Sequence, residues 1–139
     1  MKLEETFVIS RPPKQLLPAL DDDATFTSLF PRTRIVSHQG SRRETITQFT
    51  AMGQSRDLRF VFELDPKGVL RFNKICDGNV WRSLQGAVRL EPEGDDSTRV
   101  VLQMEGQTRT FVPEVAIRTP MRTQIDEMAN ALRLRLESV

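Results

Sequence analysis

The sequence predicts an α+β domain in which a curved antiparallel sheet of about seven strands closes on one long C-terminal helix. Three observations predict it. From Thr119 to Ser138, apolar residues fall at Met121, Ile125, Met128, Leu132 and Leu136, one stripe of a helix. Between residues 34 and 105, short β-rich runs alternate with turn signals such as Asp65-Pro66-Lys67-Gly68. At 139 residues, 38% apolar and 28% charged, the chain is long enough for one domain, 1–139, with a real core.

Leu3 to Ser10 alternates as a strand, with Leu3, Phe7 and Ile9 on one face and the charged Glu5 in the middle of that face. Arg11-Pro12-Pro13 ends it, and Pro13 can open a helix. Lys14 to Leu20 is a short helical turn carrying Leu16, Leu17 and Leu20. Asp23 is expected to cap a second short helix, Ala24 to Phe30, stopped by Pro31.

Strands follow over Arg34 to His38 and, rich in β-formers, Arg43 to Met52. In Arg56 to Leu64, the residues Leu58, Phe60, Phe62 and Leu64 point one way and Arg59 and Glu63 the other. Val69 to Cys76 pairs back, its inward face left open, and Asp77-Gly78-Asn79 reads as a hairpin turn. Val80 to Leu90 and Thr98 to Glu105 complete the meander. Pro113 can begin a helical lead-in, while Thr119 and Pro120 suit the N-cap and first position of the long helix. There is no internal repeat or low-complexity tract.

Twenty basic and 19 acidic side chains leave a net charge of +1, which argues against nucleic acid or an anionic membrane surface as an obligatory partner. Arg32, Arg34, Arg42 and Arg43 form a basic cluster without interleaved aromatics. The N-terminus carries acids where a signal peptide has its apolar run, and no stretch is apolar enough to span a membrane. With a single cysteine, Cys76, the expected setting is cytoplasmic.

Strand, two short helices, a six-strand meander and a long helix resemble the helix-grip layout of the START and Bet v 1-like (SRPBCC) superfamily. Phe7-Val8-Ile9-Ser10-Arg11-Pro12-Pro13 is similar to its strand with a proline-containing helix entry. Gln85-Gly86-Ala87-Val88-Arg89-Leu90-Glu91-Pro92 and Ser97-Thr98-Arg99-Val100 resemble its penultimate hairpin. The resemblance covers nearly the whole chain and implies a sheet wrapped round the helix, often with an apolar cavity between them. Candidate lining residues are Phe60, Phe62, Phe72, Leu84, Met104, Met121, Ile125 and Met128, which serve equally as plain core.

No catalytic constellation is visible. His38 is the only histidine, which with Cys76 alone excludes the usual zinc sites, and Asp21, Asp22 and Asp23 lack EF-hand spacing. They read as a solvated loop and cap. No motif requires a cofactor. Arg71, Asn73, Arg82, Gln85 and Gln103 are polar strand residues that would serve as anchors if they faced a cavity.

The first expectation is therefore binding of a small hydrophobic molecule of lipid, isoprenoid or aromatic polyketide type between sheet and helix. The alternatives are a protein-interaction module with a filled core and its own protein partner, and a cyclase- or hydratase-type enzyme using a polar residue in the cavity.

Overall fold

The computed structural model describes residues 1–51, 53–78 and 80–139. Met52, expected at the end of a strand, and Asn79, expected in a hairpin turn, lie outside the described residues. The elements are β1 (Lys2–Ile9), α1 (Pro13–Leu16), a 3-10 turn (Leu17–Asp21), α2 (Asp23–Ser28), β2 (Thr33–Gln39), β3 (Arg42–Ala51), β4 (Gln54–Leu64), β5 (Leu70–Lys74), β6 (Trp81–Pro92), β7 (Thr98–Thr108) and α3 (Glu114–Glu137). One seven-stranded antiparallel sheet runs in the order β1-β7-β6-β5-β4-β3-β2. The chain thus crosses once, from β1 at one edge to β2 at the other, through α1 and α2. Every later strand pairs with its predecessor, as tight turns require.

Period-two alternation places Phe60 and Phe62 of β4, Leu70 and Phe72 of β5, Leu84 and Val88 of β6 and Val100, Leu102 and Met104 of β7 in one core. Leu70 and Phe72 are the inward residues of β5, while Arg71 and Asn73 are exposed. The α3 stripe of Met121, Ile125, Met128, Leu132 and Leu136 closes the core and is nearly free of solvent. Gly86 is required by close packing: a Cβ there would overlap both the backbone carbonyl of Gln103 and the ring of Phe72.

Three local expectations are corrected. First, α2 is capped by Asp22, not Asp23: Asp22 is extended, and its carboxylate accepts from the N–H of Ala24 at 3.0 Å. Asp23 then falls in the first turn and is free to pair elsewhere. Second, α3 starts at Glu114, so Pro120 lies inside the helix with no N–H for the Ala116 carbonyl. The turn before it docks only partly: Val115 is exposed and Ile117 half-buried. Third, β5 ends at Lys74, and residues 75–78 form a connection held by Ile75 N–H to the Arg59 carbonyl at 2.9 Å.

Polar pairs fix the helices on the sheet. Glu5 accepts from Arg122 of α3, and Arg122 also meets Asp126 at 3.4 Å. The charged residue on the inner face of β1 is therefore the clasp for α3. Arg135 near the end of α3 bonds Asp22 at 2.7 Å and the Thr25 hydroxyl at 3.0 Å, tying α3 to α2. Among the described residues, no buried side-chain nitrogen or oxygen lacks a hydrogen-bond partner.

Three carboxylates are displaced from their ordinary pKa by their surroundings. A hydrogen bond from the Arg43 guanidinium holds Asp23 below its ordinary pKa, aided by His38. The N–H of Val69, with that of Lys67, does the same for Asp65 in the β4–β5 turn. Glu5 is raised, chiefly because it shares a hydrogen bond with the Asp126 carboxyl and is partly desolvated. The depressed pair contributes stability above the unfolded aspartate pKa of about 3.9, and that stability is lost as pH falls through the lower folded values. Glu5 acts oppositely: its contribution is present below about 4.3 and lost as pH rises through its raised value. Urea midpoints measured from pH 6 to pH 2.5 should fall steeply below pH 4. They should fall less steeply in Asp23→Asn and Asp65→Asn, whereas Glu5→Gln should make the acid-side fall steeper. Parallel curves for wild type and all three variants would refute this assignment.

Candidate functional site

Among the described residues, concavities of ligand size include two large ones. The larger, 510 Å³, lies on the outer face of the sheet among Glu4, Glu63, Arg71, Arg89 and Glu105. It is crossed by hydrogen bonds from Arg89 to Gln103 at 2.6 Å and from Gln103 to Glu4 at 2.9 Å. Polar side chains already paired with one another offer little to an apolar guest.

The second, 440 Å³, opens between the sheet and α3. Its walls are Phe30 and Pro31 after α2, Phe49 of β3, Leu58 and Phe60 of β4, and Gln124 and Glu127 of α3, with Arg32, Thr47 and Gln48 at the rim. The cleft follows from the geometry of the fold. Helix α3 packs on β1 and β7 at one edge and on α2, and a helix is only ~10 Å across. Against β3 and β4 its contacts are sparse, and phenylalanines line the space between.

Local sequence sets each wall. Phe49 is on the same face of β3 as the buried Thr45 and Thr47, but lies where β3 outruns the helix layer, and it is half exposed. Thr47 is held by a 2.6 Å hydroxyl contact with Thr33 of β2. Arg32 is the one non-glycine residue with positive φ (58°) among the described residues, and its backbone accepts the Gln48 N–H at 3.1 Å. That turn carries the chain from Pro31 into β2 and sets Phe30 against Phe60, their rings stacked at 6.4 Å and 18°. Phe60 continues to Phe62 at 6.2 Å and Phe62 to Phe72 at 5.6 Å. A row of rings thus leads from the cleft into the core.

Of the eight candidate lining residues, Phe60 lines the cleft. Phe62, Phe72, Leu84, Met104, Met121, Ile125 and Met128 are buried in the core behind it. Sequence reasoning did not single out Phe30, Phe49, Leu58, Gln124 or Glu127 as a group. A lone Phe49 in a Thr/Gln-rich strand was the available signal, but which strand end outruns the helix is a tertiary property. Arg71, Asn73, Arg82 and Gln85 are exposed and none lines the cleft; Gln103 joins the outer network.

The basic cluster is dispersed. Arg43 is buried on the inner face of β3, while Arg34 and Arg42 are exposed and Arg32 stands at the cleft. Arg43 donates to Asp23 at 2.8 Å, to the Asp21 carboxylate at 3.1 Å and to the Asp21 carbonyl at 2.7 Å. Its guanidinium lies 4.5 Å from the centre of the Phe26 ring. His38 is exposed and meets Asp23 at 3.1 Å. Asp21, Asp22 and Asp23 are thus all in ion pairs rather than simply solvated. Among the described residues, no three His, Cys, Asp or Glu side chains come together to hold a metal ion, and no helix is long and apolar enough to cross a membrane.

No protein-family model matches the chain, and no curated relative does. Solved structures do. A protein of Thermus thermophilus superposes with a TM-score of 0.75 at 18% identity, covering 99% of this chain and 98% of that one. The Zhui aromatase/cyclase of a Streptomyces species gives 0.75 at 14% identity, covering 99% and 92%. A START superfamily protein of Mycobacterium smegmatis gives 0.73 at 14% identity, covering 99% and 97%. The chain therefore has the START/Bet v 1-like helix-grip fold.

Proposed function

We propose that this protein binds a small hydrophobic molecule in the cleft between the β3–β4 arm and α3. The observation that carries this reading is a 440 Å³ space between the sheet and α3 walled by Phe30, Phe49, Leu58 and Phe60. Clefts of this size hold small organic ligands, and burial of apolar surface drives their entry. Three phenylalanine rings favour a flat, unsaturated guest of aromatic polyketide or isoprenoid type over a saturated lipid chain. One structural neighbour is an aromatase/cyclase by name, which agrees with an aromatic guest. Gln48 and Arg32 at the rim, with Gln124 in the α3 wall, would meet its polar end.

Phe60 contacts the guest directly, while Phe62, Phe72, Leu84, Met104, Met121, Ile125 and Met128 belong to the core and would take part only if it opened. Met121 and Met128 are unbranched and can shift to admit a larger ring system. A cytoplasmic setting suits the unpaired Cys76.

The test is fluorescence titration with 1-anilinonaphthalene-8-sulfonate, followed by competition with saturated fatty acids, isoprenoid quinones and polycyclic phenols. Phe49→Asp is the informative variant, because Phe49 is half exposed and its loss spares the core. It should weaken probe and competitor binding at least tenfold, about 1.4 kcal/mol, with little change in melting temperature. Undiminished affinity in Phe49→Asp, or no competition by any of the three classes, would overturn the proposal.

A further inference from the structure

The two most exposed large apolar side chains among the described residues lie four residues apart in the chain, and neither lines the cleft. Phe111 is 96% exposed and Val115 is 80% exposed. They occupy the β7–α3 connection and the first turn of α3, before Pro120. The connection is held firmly. Val112 N–H bonds the Arg109 carbonyl at 2.9 Å, and the Thr108 hydroxyl bonds the Val112 carbonyl at 2.7 Å. Phe111 is thus presented outward by a braced turn rather than left loose.

Three arginines belong to the same and adjoining segments. Arg82 is brought in by its bond to the Thr110 hydroxyl at 3.1 Å, Arg109 is fixed to the Gly78 carbonyl at 2.8 Å, and Arg118 stands exposed one turn beyond Val115. Among the described residues, none of the three guanidinium groups is paired with a carboxylate. The half-exposed Glu114 lies 3.7 Å from the Met1 amine. The near-neutral total charge of the chain conceals this local excess.

We propose that this segment docks on an anionic lipid surface, with Phe111 and Val115 entering the headgroup region and Arg82, Arg109 and Arg118 meeting lipid phosphates. An apolar protrusion flanked in the chain by cations without a carboxylate partner matches an interface that is negative outside and apolar within. A folded acidic partner would offer the arginines the same charge but would need a preformed hole for the phenylalanine. The inference stands on its own residues and does not depend on what the cleft holds.

Sedimentation with vesicles tests it. The protein should associate with phosphatidylglycerol/phosphatidylcholine vesicles at low salt, much less with pure phosphatidylcholine, and progressively less as salt rises. Phe111→Asp/Val115→Asp should abolish association. Arg82→Gln, Arg109→Gln and Arg118→Gln should each weaken it roughly fivefold. All these positions are at the surface, so circular dichroism and probe binding in the cleft should be unchanged, separating this result from the cleft's own test. Absence of binding to anionic vesicles, or binding unaffected by Phe111→Asp/Val115→Asp, overturns the proposal. Salt-sensitive binding to polyglutamate without vesicle binding would overturn it in favour of an acidic protein partner.

Discussion

Arg43→Ala is expected to lower the stability of the fold by about 3 kcal/mol, a fall of ~10 °C in melting temperature for a domain of this size. Arg43 is 1% exposed yet charged, and three oxygens plus a ring face satisfy it. It joins β3 to the segment between the 3-10 turn and α2, so its loss frees that segment as well as opening a hole over Phe26. The two aspartates are a little over half exposed and can be hydrated once the arginine is gone. That places the cost at the lower end of the range for breaking a buried pair. Attack from the other side should hurt as much. Asp21→Asn/Asp23→Asn leaves a buried guanidinium without counter-charge, whereas water cannot easily reach it. Arg43→Met should lose less than Arg43→Ala, because it restores packing against Phe26 without burying a charge. Urea unfolding of the three variants at pH 7 gives the order. Equal stability of Arg43→Ala and wild type would mean that the network contributes only specificity.

Gly86→Ala is expected to cost about 2 kcal/mol, the range for overpacking a close-packed site, even though alanine favours strands more than glycine and restricts the unfolded chain. The reason is space rather than backbone angle. Gly86 pairs with Phe72 on one side and Met104 on the other, and the added carbon would overlap the Phe72 ring and the Gln103 carbonyl. The ring can move; the carbonyl belongs to the β6–β7 ladder and cannot without loosening it. Phe72→Leu in the Gly86→Ala background should therefore recover part of the loss, and the double-mutant cycle should show coupling between the two sites. Full recovery would assign the whole cost to the ring, and no recovery would assign it to the strand.

Much of the fold was legible because it is written in short-range periods. Leu58, Phe60, Phe62 and Leu64 recur at every second position, and Met121 to Leu136 keep helical spacing throughout, so each element and its buried face follow from a few neighbours. Glu5 was legible as an anomaly, a charge on an apolar face, and Arg122 with Asp126 is its explanation. Arg43 was not legible. Beside Arg42 in a strand with polar residues on both faces, it resembles a surface residue. Only the return of the chain at Asp21 and Asp23, some twenty residues earlier, makes it a core residue. The start of α3 was misplaced because Pro120 is a strong N-terminal signal, and the turn preceding it gains too little burial to leave a pattern.

By itself the sequence determined the element order, the inward face of most elements and the absence of a visible catalytic motif, because these depend on residues within one or two turns of each other. The tertiary structure decided where the helix stops covering the sheet. That choice makes Phe30, Phe49, Leu58 and Phe60 a cleft and leaves Phe62, Met121 and Met128 as core. It also decided that Arg82 of β6 reaches Thr110 beside Phe111, and that Arg109 reaches Gly78, in a chain whose charges nearly cancel. Sheet curvature and helix placement arise from contacts between segments up to about a hundred residues apart, and no local period records them.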